Sequence, residues 1–482
     1  MATDGSPTPS KWTVLIAVGL AYFVILMTSM VSFLVLRDIA EEFDVMLRTV
    51  GWVVIIESLI AAAFLLPLGG LSDRLGRQRT LHAGVVVFGL GLVLTGLSSS
   101  FVFLIIARII TSIGNTLIQA VGTGILVAAF PPEERGLALG GQMTAIALGA
   151  GLGPLIGGVL LAVVSWKTLF LLLAIPTALT FAVVDRIKDD PSQVFKSEDK
   201  FDVRGALLAS TLITIFVLTL NDPAGIGLGS PITIVSAVIV LVLLVAFVRV
   251  ELAQPHPMLD LRFFKIGDFR RAVILRAVGF IGSSAITILI PFYLLGVRDA
   301  STQTTGGIMA LFALGMLLGA EPAGRIYDRV GARIPMSIGL VIQIAILVAL
   351  ATVDAESSLA IVSVASLGNG IGQGLWNVPA NSVLMGAIPQ DQLGVGGAFS
   401  NVDRTVGSVT GQAGATAIVT GVMTANGFDV PLGDLAGMTN AVGSFIDGWQ
   451  LTFFVAIVLT GLALVVALRT GSGAAVQEAP TN

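Results

Sequence analysis

The chain has 482 residues, of which 55% are hydrophobic and only 12% charged, with a formal net charge of −4 and a mean hydropathy of +0.95. A soluble domain carries roughly 25% charged residues, so this composition excludes an ordinary water-facing surface and suits an outer face that meets lipid. There is no cysteine and only two histidines, His82 and His256, which excludes a disulfide framework, a thiolate metal site and a cysteine nucleophile, while so small a net charge argues against nucleic acid as a partner.

Residues 1–11 are polar and read as a cytoplasmic tail without a cleavable signal. A helix needs about 20 apolar residues to cross a bilayer. Fourteen such runs follow, near 12–36, 48–70, 80–98, 101–130, 136–163, 166–184, 204–220, 231–250, 272–296, 305–327, 334–352, 358–386, 393–423 and 449–469. The expected fold class is an all-α polytopic membrane protein. With the N-terminus inside, the cytoplasmic segments hold clusters such as Arg74, Arg77 and Arg79, or Arg325, Arg329 and Arg333. The outer segments hold only Arg37, Arg48, Lys167 and Arg298. Lys and Arg accumulate on the cytoplasmic side of a membrane, and an odd number of spans would scramble this separation. Both termini are then cytoplasmic, in a multi-pass protein of the cell (inner or plasma) membrane. Trp12, Trp166 and Trp449 fall at span ends, as an interfacial aromatic belt would place them.

One pattern occurs twice, about 255 residues apart. The second span ends in Gly69-Gly70-Leu71-Ser72-Asp73-Arg74-Leu75-Gly76-Arg77, the tenth in Gly324-Arg325-Ile326-Tyr327-Asp328-Arg329-Val330-Gly331-Ala332. Pro67 and Pro322 each stand two residues before the first glycine. Gly140, Gly141 and Gly151 of span 5 match Gly396, Gly397 and Gly407 of span 13 at nearly the same shift. A duplicated G-x-x-x-D-R-x-G motif in so apolar a chain resembles the major facilitator superfamily. The resemblance implies a major facilitator fold: two six-helix bundles built as parallel repeats. The bundles are expected over 12–184 and 272–469. An inserted helix pair lies between them at 204–250, flanked by cytoplasmic linkers at 185–203 and 251–271, with a cytoplasmic tail at 470–482.

Span 5 contains Gly149-Ala-Gly-Leu-Gly153-Pro154-Leu-Ile-Gly157-Gly158. This matches G-x-x-x-G-P-x-x-G-G, the pattern of antiporters in that superfamily. Pro154 removes a backbone hydrogen bond and bends the helix, and glycines four residues apart admit a close partner helix. Fourteen spans, this motif and Arg404 followed by Gly407 resemble the fourteen-helix drug:proton antiporter branch. Two features depart from it. Span 1 lacks the branch's aspartate and reads Leu26-Met27-Thr28-Ser29-Met30 where the acid belongs. In span 4, Thr111 and Ser112 replace the usual Gln-Gly beside Arg108 and Gly114.

The resemblance implies roles for particular residues. Gly69, Asp73, Arg74, Gly76, Arg77, Asp328 and Arg329 would form a cytoplasmic gate, with Asp73 engaging the positive N-terminal end of a helix in the other bundle when the carrier faces outward. The second copy, with Ala332 in place of Arg77, is expected to matter less. Ionisable groups inside spans are costly and line cavities or pair with one another. Glu57, Asp403, Arg108 and Arg404 are therefore the proton-coupling candidates. Glu57 leads, because burial raises a carboxylate pKa; the alternative for it is an interfacial contact. Asn369, Gln373, Asn377 and Asn381 repeat every four residues on span 12, beside Trp376, and Asn115 and Gln119 lie on span 4. These spans line the central path in the superfamily, so the amides and Trp376 are expected in the substrate cavity; interhelical hydrogen bonding is the alternative. The expected function is proton-coupled efflux of amphipathic drug-like compounds by alternating access. The alternative is an uptake carrier or uniporter for a small polar or anionic solute. No Gly-Lys-Ser/Thr phosphate loop is present, no cofactor or metal is expected, and the chain is not expected to be an enzyme. The expected partners are a small-molecule substrate, protons and the lipid bilayer, with the protein a monomer.

Overall fold

A computed structural model describes residues 10–45, 47–187, 202–221, 230–254, 257, 259–428 and 439–470. Most of both terminal tails, the heart of the 185–203 linker and residues 429–438 of the last outer loop lie outside the described residues. Among those residues the fold is all helical. Helix α1 (Lys11–Leu34) is followed by short α2 (Leu36–Phe43) and α3 (Leu47–Val50), then α4 (Trp52–Leu75), α5 (Arg77–Gly96), α6 (Phe101–Ala129), α7 (Arg135–Leu161) and α8 (Trp166–Val184). The inserted pair is α9 (Val203–Asn221) and α10 (Pro231–Ala253). The second half comprises α11 (Gly267–Phe292), α12 (Thr302–Val330), α13 (Arg333–Ala351), α14 (Leu359–Gly386), α15 (Leu393–Ala425) and α16 (Thr439–Arg469).

Each expected span coincides with one of these long helices. Among the described residues, eleven are long and apolar enough to cross a bilayer, and a twelfth counts if the bent α4 is one span. The polar helices α14 and α15 fall short of that apolarity. By length and composition alone, eleven or twelve crossings are accounted for among the described residues. The 251–271 linker is shorter than expected, because α10 runs on to Ala253 and α11 starts at Gly267, with a 3-10 turn, Leu261–Lys265, between them.

Helix starts are written in serine. Ser100, Ser165, Ser230, Ser301 and Ser358 cap α6, α8, α10, α12 and α14, each side chain accepting a backbone N–H of the first turn. Packing repeats across the halves. α1 lies on α7 as α11 lies on α15; α4 and α5 flank α6 as α12 and α13 flank α14. The halves meet along two matching seams, α4 with α15 and α12 with α7. Helix α9 packs on α4 and α15, and α10 packs on α9 with most of its surface outward.

Pro67 explains a bend of 40° between Ile55–Ala61 and Ala63–Leu75. Proline has no N–H, so the carbonyl four residues back, that of Ala63, loses its helical donor. In lipid such an orphan is expensive. The Ser210 hydroxyl of α9 donates to the Ala63 carbonyl, so the inserted pair completes the hydrogen bonding of α4.

The aromatic belt is smaller than expected. Trp12 is exposed, but Trp166 and Trp449 are buried. Their indole N–H groups donate to Glu42 Oε2 at 2.6 Å and to the Leu350 carbonyl at 2.8 Å. Both rings fill gaps between helix ends, because their N–H finds an internal acceptor there.

Candidate functional site

The two motif copies build the same joint. Gly76 and Gly331 end α4 and α12 at φ 99° and 80°, a region that favours glycine, and their N–H groups return to the Ser72 and Tyr327 carbonyls. Each preceding aspartate crosses a seam. Asp73 accepts the backbone N–H groups of Gly394 at 2.9 Å and Val395 at 3.1 Å, in the first turn of α15. Asp328 accepts those of Gly136 at 3.1 Å and Leu137 at 3.0 Å, in the first turn of α7. A carboxylate on the unsatisfied N–H groups of a helix start is favoured by hydrogen bonding and by the helix dipole. Contact this close requires glycine: a Cβ on Gly394 would lie 2.5 Å from Asp73 Oδ1, and one on Gly136 would lie 2.5 Å from Asp328 Oδ1. Arg77 donates to Asp73 at 2.6 Å and to the Gln390 carbonyl at 2.6 Å, the second bond tying the first joint to the far bundle once more. With Ala332 in place of Arg77, the second joint lacks that clamp, yet its aspartate geometry equals the first. The clamp of Arg77 is thus the difference between the two copies, and the aspartate contacts are what they share. Arg74 is half-buried beside the first joint, and Arg329 is exposed.

The glycines of α7 divide between two partners. Built Cβ atoms on Gly149, Gly153 and Gly157 would meet Phe23, Met30 and Val31 of α1, while one on Gly151 would meet Ala313 of α12 across the seam. Gly158 faces open space, with nothing within 4 Å of its built Cβ, so it adds nothing to either contact.

Glu57 turns inward rather than toward lipid headgroups. It accepts from Ser29 Oγ of α1 at 2.6 Å and from Asn115 Nδ2 of α6 at 2.8 Å, and Arg108 Nη2 stands 3.5 Å from it. Ser29 belongs to the stretch where the expected acid of span 1 is missing, so a carboxylate reaches that place from α4 instead. Arg108 is buried and also lies against the Phe170 ring, 5.7 Å from its centroid.

The second bundle has an ion pair of its own. Arg276 of α11 donates to Asp403 at 3.0 Å, to Asn377 at 2.7 Å and to the carbonyl and hydroxyl of Ser400 at 2.9 and 3.0 Å. Both charged side chains are buried, at 2% and 4% exposure, so Asp403 faces the bundle interior and not a path. The amide stripe of α14 is committed to neighbours. Asn369 and Gln373 bond Ser283, Asn377 bonds Arg276, and Asn381 bonds Ser400. In this conformation Asn369, Asn377 and Asn381 are buried, and of the four amides Gln373 keeps part of its surface open. Trp376 is likewise enclosed in this conformation. It is fully buried against Phe280, its ring over the hollow left by Gly279, with its indole N–H on Gln343 at 2.8 Å.

One polar chain crosses between the halves. Arg404 Nη2 of α15 donates to Gln119 Oε1 at 3.2 Å, Gln119 Nε2 to Asn115 Oδ1 at 2.7 Å, and Asn115 Nδ2 to Glu57 at 2.8 Å. Three of the four proton-coupling candidates, Glu57, Arg108 and Arg404, therefore share one network with Asn115 and Gln119, and Asp403 stands apart. Arg276 is not among the residues that the sequence singles out, although it lies inside the apolar run 272–296. No local signal marks the pairing, because Asp403 lies 127 residues away on another helix of the same half.

The sequence profile of the Major Facilitator Superfamily matches residues 18–412. The chain belongs to that superfamily. Riboflavin transporter RibZ of Clostridioides difficile is 30% identical to this facilitator over 404 residues, covering 84% of this chain and 87% of that protein. Multidrug resistance protein Stp of Mycobacterium tuberculosis is 28% identical over 402 residues, covering 83% and 74%. Multidrug efflux pump LfrA of Mycolicibacterium smegmatis is 27% identical over 459 residues, covering 92% and 89%. The fold matches the human organic anion transporter MFSD10 with a TM-score of 0.68 at 15% identity, covering 95% of this chain and all of that one. It matches the proton:xylose symporter XylE with a TM-score of 0.63 at 14% identity, covering 93% and 94%. This facilitator is a multi-pass membrane transporter of small molecules, not an enzyme.

Proposed function

We propose that this facilitator exports amphipathic, drug-like compounds in exchange for protons, by rocking its two bundles, 12–184 and 272–469, about the seams. In this reading it is a monomer with fourteen spans in the cell membrane and has both termini in the cytoplasm. The observation that carries the reading is the position of Glu57. This carboxylate is held between α1, α4 and α6 and is joined through Asn115 and Gln119 to Arg404 of the opposite bundle. A proton arriving at Glu57 removes the charge that Arg108 faces and alters a chain that ends in the other half. The full G-x-x-x-G-P-x-x-G-G motif and the efflux relatives support export. Asp73 and Asp328 serve as inner latches, both engaged in the conformation described, which is the arrangement of a carrier closed toward the cytoplasm.

The test is transport into proteoliposomes under an imposed pH gradient. An acidic lumen drives substrate inward on an antiporter, because protons leave as substrate enters. Accumulation that ignores the gradient removes the coupling, and accumulation favoured by an alkaline lumen selects the alternative, uptake with protons.

A further inference from the structure

Three arginines lie well away from the span ends, and they are treated differently. Arg108 faces Glu57, and Arg276 faces Asp403. Arg404 has no carboxylate partner among the described residues. Its hydrogen bonds go from Nη2 to the amide oxygens of Gln119 at 3.2 Å and Asn401 at 3.4 Å. A guanidinium carries five N–H donors and no acceptor, so most of its donor capacity is left over. That remainder is not sealed in the core: Arg404 is only partly buried, and none of its nitrogens is among the buried polar atoms lacking a partner.

The neighbouring acid is unable to neutralise it. Adjacent residues on a helix point about 100° apart, and Asp403 is spent on Arg276 inside the second bundle. Arg404 points the other way, across the seam to α6. There the Tyr22 hydroxyl and Asn401 Nδ2 both donate to the Gln119 carbonyl, at 3.4 and 3.1 Å. Arg404 lies ten residues beyond Gly394 of the cytoplasmic latch, about 15 Å deeper by helical rise. That is near the middle of a hydrocarbon core of about 30 Å. A cation at that depth calls for a counter-charge, and the described residues supply none.

Resting on the carrier reading above, we infer that the missing counter-ion is the substrate: Arg404, with Gln119, Asn401 and Tyr22, receives the acidic group of an organic anion, an amphipath bearing a carboxylate, sulfonate or phosphate. The planar fork of a guanidinium matches two oxygens of such a group. The amide oxygens of Gln119 and Asn401 hold the fork open until the anion arrives. The same Gln119 then passes the change toward Asn115 and Glu57.

The test compares two xanthene dyes of one skeleton, anionic fluorescein and cationic rhodamine 123, in proteoliposomes holding wild type, Arg404→Gln or Arg404→Lys. Wild type moves fluorescein at least tenfold faster than rhodamine 123. Arg404→Gln loses that preference, with fluorescein flux down tenfold or more, while Arg404→Lys keeps a substantial part of it. Thermal unfolding of each variant in detergent, unchanged from wild type, separates lost recognition from lost fold. A wild-type preference for rhodamine 123, or a fluorescein preference that survives in Arg404→Gln, overturns the inference and leaves the carrier reading standing. Failure of wild type to move either dye overturns the reading of an amphipath carrier on which the inference rests.

Discussion

Arg108 stands 3.5 Å from Glu57, farther than either neutral hydrogen bond that the same carboxylate accepts, 2.6 Å from Ser29 and 2.8 Å from Asn115. The cation is a loose partner, and two fixed donors keep the carboxylate in place whichever way Arg108 moves. Glu57→Gln keeps an oxygen for those donors and removes the titrating group. Transport driven by a pH gradient is expected to fall tenfold or more, while counterflow exchange without a gradient stays within about threefold. Equal losses in both assays would remove Glu57 from the coupling step.

The two latches are expected to contribute comparably. A hydrogen bond to a charged group is worth roughly 1.5–3 kcal/mol, so removing either aspartate shifts the balance toward the cytoplasm-open form by tenfold or more. Asp73→Ala and Asp328→Ala should each raise thiol labelling of a cysteine introduced on the cytoplasmic side of the path. A change at Asp73 alone would restore the second motif copy to minor rank.

Glycine is tested by a methyl group. Gly136→Ala sets a Cβ 2.5 Å from Asp328 Oδ1 and 2.7 Å from the Gly324 carbonyl, so the α7–α12 seam is unable to close as described. Transport should drop more than tenfold. Gly158→Ala, with nothing within 4 Å, serves as the control and should transport as wild type does.

Breaking a buried ion pair by removing one partner costs roughly 3–5 kcal/mol, whereas replacing both with apolar groups is far milder. Asp403→Leu alone should lower the unfolding temperature in detergent sharply. Arg276→Met with Asp403→Leu should recover much of the loss. A double variant less stable than either single one would mean that the pair has a task beyond holding α11 to α15.

The Ser210 hydroxyl, which also lies 2.8 Å from the Ala206 carbonyl of its own helix, reaches the carbonyl that Pro67 leaves bare. Ser210→Ala should cost about 1 kcal/mol in wild type and almost nothing in a Pro67→Ala background, where residue 67 regains an N–H for the Ala63 carbonyl. A double-mutant cycle on thermal stability measures this, and additive effects would contradict the pairing.

How much of this was legible depended on the range of the interaction. Spans were legible because crossing a bilayer takes a long apolar run, and the latch aspartates because a turn glycine follows each at fixed spacing. The mates of Arg276 and Glu57 were not, since Asp403 is 127 residues from the one and Asn115 is 58 from the other. Nothing local encodes which face of a helix meets which neighbour. The α14 stripe shows the limit: four amides in register announce a polar face, but an adjoining bundle helix and an aqueous path look alike in one dimension. The seat of Trp376 is equally non-local, since the hollow under its ring is left by Gly279 on another helix.

Helix α15 begins at the Asp73 latch and, three turns deeper, holds the guanidinium that faces the opposite half. A continuous helix pinned at one end tilts as a whole. Pulling its middle toward a guest must therefore swing its tip, and releasing the tip must move the middle. Loading and unlocking are thus two motions of a single lever, with no relay of intermediate residues needed between them.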